Sequence, residues 1–281
     1  MLERSTGEHL EERTVPPLQS ILDCRDETRY RELRDVFVQT RLKELIKKAK
    51  PTRIDARRFG LYEGFQHPDS VIHVTQDTRI PGFKVDDQEI YKQLIDEVRV
   101  HKSIPQAVQI VIDQYFNIDH RSRDAKRSDR RAITYGKRKP ETPLSIKEVA
   151  NAHVAMCAEK SAVAQNLITF FGTHSWLVDS YASITRRDGI VDTGQHLYNI
   201  IEISPTELIL YDASHPFEIT NENGEIIQTL PAQFPITQKQ FAELQSGKPV
   251  HLQHKEERRK NGATKIVQRE YIYGGVGSVR K

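Results

Sequence analysis

Around Gly172 the hydrophobic pattern of the chain changes period, and this change constrains the fold more than any other feature. Upstream, apolar residues recur at helical spacing: Leu33, Val36, Phe37, Leu45 and Ile46 in 28–49, then Ile90, Leu94, Ile95 and Val98 in 87–101. A third helix is expected after Pro105, and Ser145 with Glu148 forms a capping-box pattern opening a further helical region. A helix rich in Ala is expected from Cys157 to Phe171, stopped by Gly172. Downstream come short runs with β-branched and aromatic residues, at 175–182, 197–203 and 208–211, divided by turn signals such as Ser204-Pro205-Thr206. Two hairpins are expected around 221–224 and around Asn261-Gly262. Helices first and antiparallel strands second define an α+β chain, with a helical N-terminal region over 1–100 and the remaining domain over 101–281.

Charged residues make up 29% of the 281 residues and the net charge is only +3, so charge alone excludes little. Its distribution says more. Between Arg121 and Lys139 nine Lys/Arg face two acids, Asp124 and Asp129. With almost no apolar residues between Asp119 and Arg131, the segment 119–140 is expected to be an exposed basic loop. Such a loop is ordinarily a solvated connector; contact with nucleic acid or an anionic surface is the alternative, although Tyr135 is the one aromatic available for stacking. The two cysteines, Cys24 and Cys157, do not form a disulfide framework, and no apolar run reaches membrane-spanning length. The expected setting is cytoplasmic, without membrane insertion. His251 and His254 fall on opposite faces of a strand, no other Cys/His group has metal-ligand spacing, and neither metal nor cofactor is expected.

Cys157 is the residue with the most chemical content. A thiol attacks an amide only as a thiolate, and a helix N-terminus favours that negative charge. A base must come from another element, and His196 in Gly194-Gln-His-Leu-Tyr-Asn199 supplies one. A carboxylate must then orient the imidazole. Asp212, at the end of Glu207-Leu-Ile-Leu-Tyr-Asp212, is placed for this: a hairpin turning at 204–206 sets residues 196 and 212 opposite each other. Asn151, shortly before the cysteine, is a candidate side-chain donor to an oxyanion.

These segments together resemble the transglutaminase-like superfamily. Met156-Cys-Ala-Glu-Lys-Ser161 opens a helix, a strand through Trp176 follows, and Gln195-His-Leu-Tyr-Asn199 and Leu210-Tyr-Asp-Ala-Ser214 complete the pattern. The resemblance spans about 104–216. The sequence departs from it where Ala155-Met156 precede the cysteine in place of a common Gly, where Tyr198 replaces Trp, and where Asp212-Ala-Ser214 replaces Asp-Pro-Thr. The resemblance implies a papain-like core, its cysteine helix packed on an antiparallel sheet, and a Cys157–His196–Asp212 triad forming a thioester acyl-enzyme on a peptide or protein amide. Hydrolysis, amine transfer and inactive binding modules all occur among such proteins.

Overall fold

A computed structural model describes residues 17–55, 60–73, 80–116, 124–185, 191–214, 217–220, 226–230, 232–260 and 263–276. In chain order the elements are α1 (Leu18–Leu22), α2 (Glu27–Lys48), β1 (Arg53–Asp55), β2 (Leu61–Glu63), β3 (Val71–His73), β4 (Phe83–Lys84), α3 (Glu89–His101), α4 (Ile104–Phe116), α5 (Asp124–Gly136), β5 (Leu144–Ser145), α6 (Ile146–Asn151) and α7 (Cys157–Phe170). Then follow β6 (Ser175–Thr185), β7 (Val191–Ser204), β8 (Glu207–Tyr211), β9 (Phe217–Thr220), β10 (Ile226–Leu230), β11 (Gln233–Ile236), α8 (Gln238–Gln245), β12 (Val250–Lys260) and β13 (Ala263–Tyr273). The protein is α+β, as the change of period at Gly172 predicts. The turns expected at 221–224 and 261–262 lie outside the described residues, as does 1–16.

The main sheet is antiparallel with order β11-β8-β7-β6-β13-β12, and β2 pairs with β6 beside β13. It is strongly curled. Phe234 of β11 meets Tyr271 and Tyr273 of β13 with ring centroids 5.1 and 5.9 Å apart. In a flat sheet these strands, four places apart, would be about 19 Å from each other at normal strand spacing. The curl encloses a core of Val178, Tyr198, Leu210, Phe234, Tyr271 and Tyr273, closed by Phe241 and Leu244 of α8.

Helix α7 lies between this sheet and the other helices. Residues 158–170 are all buried, so it has no solvent face. Its polar residues hydrogen-bond to their surroundings. Gln165 Nε2 donates to the carbonyls of Ser175 (2.6 Å) and Gly64 (3.0 Å). Asn166 accepts from Gln66 N (2.7 Å) and donates to Gln66 O (3.0 Å), as a second strand would. Asn199 Nδ2 of β7 donates to Ser161 O and Gln165 Oε1. At its far end Gly172 adopts φ 84°, the left-handed conformation that ends helices, and Arg41 Nε of α2 donates to Phe170 O at 2.9 Å.

One hydrophobic cluster runs from Ile21 and Leu42 through Leu94 and Val108 to Leu167 and Ala213, on both sides of residue 100. The first hundred residues carry strands as well as helices: β1, β3 and β4 form a small sheet completed by β5.

The basic segment departs from its expectation. Residues 124–136 form helix α5 rather than a loop; much of 128–140 is exposed, as expected, but Tyr135 is fully buried. Composition concealed this because the helix is anchored by polar contacts. Arg131 and Tyr135, one turn apart, both bond a buried carboxylate on α7. Ile133, between them, is 58% exposed.

Candidate active site

Cys157 is the first residue of α7, partly accessible, with its thiol free of any disulfide. The chain arrives there through an exposed, left-handed His153 (φ 55°) and an extended Met156. Glu159, in the first turn, reaches back so that Oε2 accepts the Met156 N–H at 3.0 Å, the acidic half of a capping box. The sulfur therefore sits at the positive end of a fourteen-residue helix.

His196 lies within β7, opposite Ser180 of β6. Its Nε2 is 2.6 Å from Asp212 Oδ2, and the Cys157 sulfur lies close enough to the ring to influence its protonation. The ring is 14% exposed and Asp212 is sealed. Burial works against a charged imidazole, but the Asp212 carboxylate, and after it the Cys157 sulfur, outweigh burial and hold the His196 pKa well above its usual value.

Asp212 receives three further hydrogen bonds. Tyr273 Oη donates to Oδ2 at 2.9 Å; Ser214 N and Oγ donate to Oδ1 at 3.1 and 2.6 Å. The backbone has left the β7–β8 ladder here, with Asp212 N donating to Ala232 O at 2.8 Å. The expected hairpin register needs a correction. Strand β8 pairs Tyr211 with Asn199, and an irregularity between Glu202 and Ser204 shifts the register. The line through Asp212 thus points toward Tyr198, not His196. The two positions share a face because side-chain direction repeats every second residue, so the histidine still reaches the carboxylate.

Three further residues at this site were not singled out from the sequence. Tyr273 ends β13, and its phenol is pushed well above its usual pKa by burial and by Asp212. The residue after it must be small: a Cβ on Gly274 would lie 2.4 Å from the Tyr181 ring. Arg131 spans both oxygens of Glu159 (3.1 and 3.0 Å), and Tyr135 Oη donates to Oε1 at 2.7 Å. Burial, then Glu159, raise the Tyr135 pKa well above its usual value. The spacing of Arg131 and Tyr135 was the available clue. Asn151 ends α6 in an exposed position, and among the described residues no hydrogen bond joins its side chain to Cys157, His196 or Asp212.

A cavity of about 720 Å³ lies at the opposite end of α7, bordered by Ile104, Phe171, Gly172, Ile201 and Ile203, and takes no part in this arrangement. Among the described residues no group of His, Cys, Asp or Glu could hold a metal ion, and no helix is long and apolar enough to cross a membrane. No family model, curated protein or solved structure matches the chain.

Proposed function

We propose that the protein is a cysteine-dependent acyl transferase with a papain-like core resembling the transglutaminase-like superfamily, acting by hydrolysis on a peptide or protein amide. The observation that carries this reading is His196, paired at 2.6 Å with a buried carboxylate and close to a partly accessible thiol at a helix N-terminus. A raised imidazole pKa favours a thiolate–imidazolium pair before substrate arrives.

In this scheme the Cys157 thiolate attacks the carbonyl carbon, forming a C–S bond and an oxyanion that the Cys157 N–H binds. As the C–N bond breaks, His196 gives its proton to the leaving amine. His196 then takes a proton from water, the resulting hydroxide attacks the thioester, and the C–S bond breaks to release the acid and restore the thiolate. Asp212 keeps the imidazole oriented throughout. The amide class follows from the resemblance and from the reactivity of a thiolate.

The test is alkylation by iodoacetamide across pH, followed by assays of peptide amides. Cys157 should react well below its ordinary range of about 8.5 and much faster than Cys24, and Cys157→Ala and His196→Gln should abolish turnover. Equal, slow labelling of both thiols overturns the proposal. Amine incorporation that exceeds acid release would move the reaction to transglutamination through the same acyl-enzyme.

A further inference from the structure

The N-terminus of α7 carries a second polar cluster besides the His196–Asp212 pair. There Glu159 is completely buried and accepts from Met156 N, Arg131 and Tyr135. One oxygen, Oε2, is shared by the Met156 amide and an Arg131 nitrogen, which places the guanidinium one peptide from the residue that carries the sulfur. The Arg131 side chain is only 15% exposed, so water screens it weakly. The planar fork on both carboxylate oxygens fixes where its charge lies, and the Tyr135 ring beneath it, 5.3 Å away, restricts it further. The Glu159 oxygens are meanwhile occupied by three donors.

We propose that Arg131 is a positioning residue for the thiolate: a permanent cation, held by Glu159, that keeps Cys157 ionised independently of the protonation of His196. The inference rests on the reading of Cys157 as nucleophile and adds a part to it. An imidazolium favours the thiolate only while it keeps its proton, and the reaction requires it to surrender that proton to the leaving amine. A guanidinium does not titrate in the working range, so the sulfur retains a stabilising partner through this step and at alkaline pH. The basic segment thereby gains a local role, since α5 delivers one of its arginines to the helix that bears the thiol.

The experiment titrates the thiolate of Cys157, by its ultraviolet absorbance and by iodoacetamide alkylation rate, in the full-length chain carrying Cys24→Ala. The same titration is repeated with His196→Gln to remove the imidazole. In that background Arg131→Met should raise the Cys157 pKa by about one pH unit, and Arg131→Lys should restore part of the loss. Because Arg131→Met leaves a buried carboxylate uncompensated, whose own charge would raise the thiol pKa, the double variant R131M/E159Q is compared with Glu159→Gln, with circular dichroism to establish folding, and should titrate higher than that single variant. Equal thiolate pKa values in the folded double variant and in Glu159→Gln overturn the role of Arg131 while leaving the His196 reading intact. A wild-type Cys157 that titrates near about 8.5, like an ordinary thiol, overturns both.

Discussion

Asp212 holds four hydrogen bonds from His196, Tyr273 and Ser214. A buried carboxylate satisfied this fully can stay ionised and draw charge onto its neighbour. The neighbour is His196, whose pKa is raised in the folded state above an unfolded value of about 6.5. The stabilisation from this pairing is fully present below the unfolded pKa and is lost as pH rises through the folded one. Wild-type stability should therefore exceed that of His196→Gln most below about pH 6.5, with the margin shrinking as pH rises, read from urea midpoints between mildly acidic and alkaline buffers. A margin that grows with pH would contradict the assignment. Tyr273→Phe removes one charge-assisted bond from the same carboxylate and should cost about 1.5–3 kcal/mol, measured by denaturation. At this scale the sequence was legible for Cys157, His196 and Asp212, because each ends or sits on an element whose pattern is plain. It was silent on Tyr273, since nothing local to a tyrosine at a strand end tells which carboxylate it will meet across the curled sheet.

Glu159 shows how elements are fastened together. It joins α5 to the start of α7 through Arg131, Tyr135 and the Met156 amide. Removing one partner of a buried charge pair leaves the other uncompensated, so Glu159→Ala should destabilise by about 3–5 kcal/mol. Glu159→Gln, which keeps an acceptor for the amide and phenol, should cost clearly less; equal losses would show that packing, not charge, is what α5 requires. The helices with apolar stripes, α2, α3 and α4, were readable from spacing, as were the strands on either side of the Ser204-Pro205-Thr206 turn. Helix α5 was not, because its buried side is an arginine and a tyrosine and its apolar Ile133 faces water. The register of β7 on β8 was readable only to within two residues, for a bulge leaves no mark in composition.

At the scale of the whole molecule the curled sheet links its outer strands to the thiol. Phe234, 4% exposed, packs against Tyr271 and Tyr273 where β11 and β13 approach. Phe234→Ala should cost about 3–5 kcal/mol. Because Tyr273 also bonds Asp212, the same substitution should slow alkylation of Cys157 although it touches none of the three clustered residues; undisturbed alkylation in a destabilised variant would mean that the seam and the thiol are independent. From the other side, α2 reaches the end of α7 through Arg41 and through Phe37, whose ring meets Phe170 edge-on at 5.9 Å.

The contribution of Tyr273 from β13 also sets an order of events during biosynthesis. The thiol of α7 leaves the ribosome first, His196 and Asp212 next, and the phenol that completes the carboxylate's shell follows roughly ten seconds after the cysteine at ordinary translation rates. Until then β6 lacks β13 along residues 182–184, and Asp212 lacks its bond from the phenol.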